Sequence, residues 1–185
     1  MIVNRRRTMG SGEKVLFELY NTNFDGTVDS VVDTGIKLWD GTHNKFKLEV
    51  EYQREVNTNN IPVYVCKPDT SPYSGIRLRR IDSTKEDFII SESVTEISND
   101  GFTTKDGQYG HQVDLSTAYD NRNVHTVIRD GDYLKMELNG YVYECRMDNP
   151  KTNNLNLLLG CDYQGANGTQ RYLKGTIYKF KLIEL

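Results

Sequence analysis

The sequence predicts an all-β protein, a jelly-roll sandwich of two antiparallel sheets. Tyrosine is abundant, with 12 among 185 residues, and threonine, valine and asparagine are common, whereas alanine, the best helix former, is almost absent. Short strand-like segments recur along the chain, each bounded by clusters of Asn, Asp, Gly or Pro. No segment longer than about two turns has the apolar periodicity of a helix.

The expected strands follow one another closely, and about a dozen short strands with little helix indicate a sandwich or a barrel, of which we prefer the sandwich. A chain of 185 residues can bury a two-layer core as one domain. We expect a basic arm over residues 1–13 and the sandwich over 14–185. The predicted strands cover approximately residues 14–20, 31–39, 44–54, 61–67, 75–81, 87–93, 111–115, 122–129, 133–138, 141–147, 155–161 and 171–185.

The clearest alternation of apolar and polar residues lies between residues 45 and 52, and it predicts a strand with one buried face. The apolar set is Phe46, Leu48, Val50 and Tyr52. The pair Asn139-Gly140 tolerates positive φ angles and predicts a type I′ hairpin. Its register would place Leu138 opposite Tyr141, Met136 opposite Tyr143, Leu134 opposite Cys145 and Lys135 opposite Glu144. A phase break in the last strand predicts a bulge near Tyr178.

Composition excludes several classes of function. A net charge of −3 and a pI near 5.7 argue against a nucleic-acid footprint over the whole surface. The mean hydropathy of −0.63 and the absence of a long apolar run predict a soluble protein without a membrane span. Cys66, Cys145 and Cys161 are odd in number and lie among apolar or aromatic neighbours, so we expect buried free thiols and a reducing compartment. Residues 1–12 lack the apolar stretch of a secretory signal, which predicts synthesis and retention in the cytoplasm.

Several segments, taken in their order along the chain, carry a family resemblance. Phe24–Gly26 and Val32–Ile36 lie near the start, and NVHTVIRDGDYLKMELNG (Asn123–Gly140) contains two strands and an Asn-Gly hairpin. LLLGC (Leu157–Cys161) and LKGTIYKFKL (Leu173–Leu182) follow. Together they resemble the concanavalin A-like, laminin-G-like lectin and glucanase domains, over nearly the whole chain from about residue 14. The resemblance implies a sandwich that binds glycans or builds a structure.

The opening decapeptide MIVNRRRTMG (Met1–Gly10) resembles the start of structural proteins of bacteriophages from gut bacteria. The resemblance implies a virion protein that folds in the cytoplasm of the bacterial host. Arg5, Arg6 and Arg7 are then expected to dock on an acidic partner surface, although a solvated tail is the alternative.

Catalysis is not expected. Glycoside hydrolases of this fold need two carboxylates that face one cleft, and the nearest candidates are Glu49, Glu51 and Glu55. We interpret these glutamates as a solvated strand face, because they alternate with the apolar set. His43, His111 and His125 lie far apart without a nucleophile motif. Where the family carries an aromatic-His-His run this chain has the lone His125, which we expect to be a packed, hydrogen-bonded histidine.

Binding sites are predicted on loops. Laminin-G-like domains hold Ca²⁺ through oxygen ligands at the rim, and the resemblance makes Asp162 and Asn167 candidate calcium ligands, with ordinary turn formation as the alternative. No other cofactor is expected. Four tyrosines lie among Asn, Asp, Gln and Gly in loops and are candidate glycan platforms. They are Tyr73, Tyr109, Tyr119 and Tyr163.

Two further features remain open at this stage. Trp39, the sole tryptophan, follows an apolar segment and is either a core residue or a platform. Arg77, Arg79 and Arg80 form a second basic cluster, with Arg77 and Arg79 on the outward face of a strand whose other face carries Ile76 and Leu78. That cluster is either a docking patch or a wet sheet face.

The sequence therefore predicts a non-enzymatic bacteriophage virion protein, such as a capsid decoration, fibre or tail component. Its sandwich would be displayed outward for glycan adhesion and docked to other virion proteins through the arm, within a homo- or hetero-oligomeric assembly. No nucleic acid and no membrane are expected as partners. The alternative is a free carbohydrate-binding module, and a glycoside hydrolase is the least favoured interpretation.

Overall fold

A computed structural model of the chain describes residues 13–55, 62–68, 74–80, 85–90, 94–97, 103–105, 108–114, 122–147, 151–162 and 171–185, with the backbone alone for the strands between residues 85 and 114. Within these ranges strands predominate, and the one helical element is a 3₁₀ turn at Val28–Ser30. The strands are β1 Lys14–Asp25, β2 Val32–Asp33, β3 Lys45–Arg54, β4 Pro62–Cys66, β5 Ile76–Arg80, β6 Lys85–Ile90, β7 Val94–Ile97, β8 Thr103–Lys105, β9 Gln108–Asp114, β10 Asn123–Asp130, β11 Tyr133–Leu138, β12 Tyr141–Met147, β13 Leu158–Leu159 and β14 Lys174–Glu184.

The strands form two antiparallel sheets, as the sequence predicted, and each sheet has seven strands within the described residues. Sheet A has the order β1-β14-β3-β10-β11-β12-β7, and sheet B has the order β2-β13-β4-β5-β6-β9-β8. Both sheets pair strands that are distant in sequence, which is typical of a jelly roll. No helix in the described ranges has the length and apolar character that crossing a membrane requires.

The predicted pairings of sheet A are confirmed. The apolar positions of β3 are at most 1% exposed, whereas the residues between them are partly accessible. Asn139 and Gly140 have φ angles of 49° and 87°, which suit a type I′ hairpin. The pairs across that turn match the predicted register from Leu138 and Tyr141 onward. The pairing of β14 with β3 shifts between Ile177 and Lys179, which places the predicted bulge at Tyr178.

The strand predicted over residues 31–39 was wrong beyond Asp33. The Asp33 carboxylate accepts the Gly35 N–H at 2.8 Å, and the Asp40 carboxylate accepts the Thr42 N–H at 2.9 Å. These local bonds offer the backbone an alternative to a sheet ladder, so residues 34–44 form turns. Strand 155–161 shortens to β13 for a related reason, because the Asn153 side chain accepts the Leu155 N–H at 2.9 Å. The short strands β7 and β8 were not predicted.

The core lies between the inner faces of the two sheets and is one contiguous apolar cluster. Trp39 is 1% exposed and packs edge-on against Phe46, so it is a core residue rather than a platform. Cys66, Cys145 and Cys161 are buried and free, as expected, and burial raises the pKa of each thiol to about 12.

Asn153 ties one end of the sandwich together. Its side-chain amide donates to the Ser74 carbonyl at 2.6 Å and to the Cys66 carbonyl at 3.2 Å, and its backbone N–H donates to the Trp39 carbonyl at 2.9 Å. Gly75 lies beside these hydrogen bonds with a φ of 123°, and a Cβ there would stand 1.8 Å from the Cys66 carbonyl oxygen. This position therefore requires glycine.

A polar chain crosses the core. The Tyr64 hydroxyl of sheet B lies 2.9 Å from His125 Nε2 of sheet A, and His125 Nδ1 lies 3.0 Å from the Glu137 carbonyl. A carbonyl can only accept, so Nδ1 carries the proton and Nε2 accepts from Tyr64. Burial lowers the pKa of His125 to about 3. His125 is thus the packed, hydrogen-bonded histidine that the sequence predicted.

We predict that the buried His125 makes the fold sensitive to acid. Its folded pKa of about 3 lies below the ordinary value of 6.5, so its contribution is complete above pH 6.5 and is lost as the pH falls towards 3. The full loss is on the order of 5 kcal/mol. Urea unfolding of the wild type and of His125→Gln across this pH window should show a much shallower decline for the variant.

Tyr64→Phe is the matched control, because it removes the hydroxyl partner and leaves the buried histidine in place. It should lower the free energy of unfolding by about 1–3 kcal/mol at every pH while the wild-type slope remains. Parallel slopes for the wild type and His125→Gln would contradict the prediction.

Candidate functional site

The outer face of sheet A is a flat, ion-paired surface. The Glu49 carboxylate contacts Lys47 Nζ and Lys179 Nζ at 2.5 Å each, and Glu51 contacts Arg122 Nε at 2.5 Å. Partial burial raises the pKa of Glu49, but the hydrogen bonds from both lysines outweigh this effect and leave that pKa below its usual value. Each of these glutamates therefore forms an ion pair on the surface. This agrees with the solvated strand face that the sequence predicted.

The outer face of sheet B is different, because several of its side chains are enclosed. The strand register sets Asp33, Leu158, Val65 and Arg77 in one row across four strands. Val65 is 0% exposed and Arg77 is 3% exposed, although both point away from the core. Ile76 and Leu78 fill the inner face, which confirms the predicted outward direction of Arg77 and Arg79. At Arg77 the outer face of sheet B is therefore shielded from solvent.

The buried Arg77 guanidinium pairs with the Asp162 carboxylate at 3.4 Å. Lys67 is 0% exposed, and its ammonium donates to the Pro68 carbonyl at 2.9 Å. Asp162 is held in place because its backbone N–H donates to the Arg171 carbonyl at 3.0 Å, next to a bridge between Cys161 and Tyr172. Buried charges are costly to maintain and concentrate at functional sites.

Beside these buried charges the row remains open to solvent. Leu158 and Arg79 are partly accessible and Asp33 is exposed. The Asn156 amide donates to Asp33 Oδ2 at 3.0 Å, while Asp33 Oδ1 accepts the Gly35 N–H. An apolar patch flanked by fixed carboxylate, amide and guanidinium groups is suited to a ligand that has both C–H faces and hydroxyl groups.

The calcium prediction involves Asp162, which the structure places against a guanidinium. To ligate Ca²⁺ this carboxylate would exchange Arg77 for the ion. Within the part of the chain that the structure describes, no group of three His, Cys, Asp or Glu residues is arranged to hold a metal. Asn167 lies outside the described residues, so the calcium site stays a prediction.

Of the four candidate glycan tyrosines, the structure describes Tyr109 alone, and that one by its backbone. Tyr109 lies on the β9 backbone in sheet B, while Tyr73, Tyr119 and Tyr163 lie outside the described residues, as do Arg5, Arg6 and Arg7. The glycan-platform role of these four tyrosines therefore stays a prediction.

Sequence reasoning missed the contributions of Asp33, Asn156 and Leu158, and it did not pair Arg77 with Asp162. One signal was present in the run Val63–Cys66, four consecutive apolar residues without alternation. Such a run predicts a strand that is covered on both faces. The other two histidines take no part in this row, since His43 lies in a turn near Glu184 and His111 lies on the β9 backbone.

Comparison with known proteins identifies the fold as concanavalin A-like. No protein-family model matches the sequence, and no curated protein matches it. The IT-sialidase CBM40 of Ruminococcus gnavus, solved with α2,3-sialyllactose, superposes with a TM-score of 0.62 at 10% identity over 90% of each chain. Domains LG4-5 of the mouse laminin α1 chain give 0.59 at 10% identity, covering 91% of this chain and 42% of theirs. The galectin LEC-6 of Caenorhabditis elegans gives 0.50 at 9% identity, covering 89% and 94%.

We predict that the Arg77–Asp162 pair supports the fold under this row. Asp162→Asn should lower the free energy of unfolding by about 3 kcal/mol, because it leaves a buried guanidinium without its carboxylate. Asp132→Asn is the matched control, since it breaks the exposed pair with Arg146 and should cost less than about 1 kcal/mol. Chemical denaturation measures both values, and equal small losses would contradict the buried pairing.

Proposed function

We propose that this protein is a non-catalytic glycan-binding module whose binding surface is the outer face of sheet B. The observation that carries the proposal is the asymmetry between the two outer faces. Sheet A presents mutually paired charges, whereas sheet B presents the accessible groups Leu158, Asp33, Asn156 and Arg79 above buried charges. A surface supported by a fixed second layer of charge keeps its recognition groups in place.

The chemistry of this row suits a sugar ring. Leu158 offers a C–H surface, Asp33 offers acceptor oxygens for hydroxyl groups, and the guanidinium of Arg79 offers donors. The basic residue Arg79 also favours a glycan that carries an acidic group. Because a module of similar fold was solved with sialyllactose, sialylated glycans are the first ligands to examine.

A non-enzymatic role is part of the proposal. Of the three candidate glutamates, Glu49 and Glu51 are each paired with a cation on the outer face of sheet A, and Glu55 lies 4.0 Å from Lys174 Nζ. A carboxylate neutralised by lysine or arginine at the surface is a poor general acid. Glu49 in particular has a pKa below its usual range, which is opposite to the shift that an acid catalyst requires.

We further propose that the module belongs to a virion, made in the bacterial host cytoplasm and docked through Arg5, Arg6 and Arg7. This setting rests on the sequence of Met1–Gly10 alone, and a free carbohydrate-binding module has the same fold and the same candidate surface. Deleting residues 1–10 should leave a folded module that no longer enters the particle. Incorporation at wild-type occupancy would contradict docking through the arm.

We predict that glycan binding depends on the row of sheet B. On an array of neutral and sialylated glycans, the wild type should bind a defined subset. Asn156→Ala and Arg79→Ala should each weaken binding to the strongest ligand by about tenfold or more, because each removes polar contacts worth about 1.4 kcal/mol.

Glu144→Ala is the control on the outer face of sheet A, where it removes an exposed partner of Lys135. It should bind like the wild type, and thermal melting should confirm that all the variants are folded. If Glu144→Ala lost binding while Asn156→Ala and Arg79→Ala retained it, the ligand would lie on sheet A, and the proposal would be refuted.

A further inference from the structure

A second cluster of buried polar groups lies at the end of the sandwich that Asn153 ties together, away from the row of sheet B. Arg129 is on the inner face of β10 and is 4% exposed. Its guanidinium carbon lies 4.3 Å from the centre of the Trp39 ring, a stacked cation–π contact. Neither residue belongs to the row of sheet B.

The hydrogen bonds of Arg129 use one edge of its guanidinium. Nε donates to the Gly131 carbonyl at 3.2 Å, and Nη2 approaches the Asn44 side-chain oxygen at a long 3.4 Å. A guanidinium has five N–H donors, so Nη1 and the second hydrogen of Nη2 retain a parallel pair of donors. Among the described residues no acceptor takes that pair.

Among the residues that the structure describes, no carboxylate forms an ion pair with Arg129. The nearby Asp130 and Asp132 pair with Lys45 at 2.8 Å and with Arg146 at 3.2 Å. Burial lowers the pKa of Arg129, and no carboxylate opposes that shift. The group nevertheless stays charged in a protein, and an uncompensated buried charge is costly.

Two further observations point to a missing acceptor. Trp39 Nε1 is buried and donates to no acceptor among the described residues, so two kinds of unused N–H donor belong to one stacked pair. The approach to Arg129 is open, because Asn44 and Asp132 are exposed and a Cβ on Gly131 would meet no atom within 4 Å.

We propose that Arg129, stacked on Trp39, is the recognition group of a second site that binds a carboxylate or sulfate oxyanion. The remaining Nη1/Nη2 edge matches the spacing of two oxyanion oxygens, as in bidentate arginine–carboxylate pairs. The oxyanion is either the acidic group of a glycan or a small free anion. The site is independent of the outer face of sheet B, so it stands or falls separately from the proposed glycan surface.

The sole tryptophan provides a direct reporter, because its indole N–H gives one resolved signal in a ¹H–¹⁵N spectrum. Titration with acetate, sulfate, glucuronate and glucose at constant ionic strength tests the site. A saturable shift with acetate or sulfate and with glucuronate supports binding of an acidic sugar, and a shift with acetate or sulfate alone supports a small free anion. The same shift with glucose, or no saturable shift with any oxyanion, would overturn the proposal.

Arg129→Lys keeps the positive charge and removes the parallel pair of N–H donors, so oxyanion binding should weaken by at least about tenfold. Arg146→Lys, at an exposed arginine of the adjoining hairpin, should bind as the wild type does. Equal affinity in Arg129→Lys and the wild type would refute the assignment. If Arg129→Lys does not fold, selective labelling of arginine Nε in the wild type replaces it. A shift of the Arg129 signal on titration then supports the site, and a constant signal refutes it.

Discussion

The strict alternation of β3 is the constraint on which the rest of the sandwich depends. This strand lies between β14 and β10 in the middle of sheet A, and its inward residues are at most 1% exposed. A slip of one residue would move Lys47, Glu49 and Glu51 into the core, so the register is fixed by burial. The outward residues are then free to form the ion pairs that neutralise one surface of the protein. In sheet B the strand β4 is covered on both faces, and buried charges lie beside accessible polar groups.

Three of the buried basic groups are accommodated in different ways. Arg77 is paired with a carboxylate, His125 is kept neutral between a hydroxyl and a carbonyl, and Arg129 is stacked on an indole. The first two arrangements leave no uncompensated charge, because Arg77 faces a carboxylate and His125 is neutral. Arg129 has no carboxylate partner among the described residues, and this difference separates a supporting residue from a recognition residue.

The sequence predicts those structural elements that depend on residues close to one another in the chain. The alternation of β3, the Asn139-Gly140 hairpin and the bulge at Tyr178 depend on neighbouring residues, and all three were predictable. The turns after Asp33 were mistaken for a strand, because side-chain bonds such as Asp40 to Thr42 compete with a ladder that periodicity alone suggests. The candidate site was mostly hidden, since Arg77 and Asp162 are separated by 85 positions and meet only when β5 and β13 join one sheet. Sequence periodicity gives the face of a strand, but it does not give the strand across from it.

The central claim is that ligand recognition belongs to the outer face of sheet B. Backbone amide shifts during titration with the strongest glycan from the array test it most directly. We expect the largest shifts at Asp33, Asn156 and Leu158, with little change at Thr126, Lys135 and Glu144 on the outer face of sheet A. Shifts concentrated on those sheet A residues, with the sheet B row unchanged, would contradict the account.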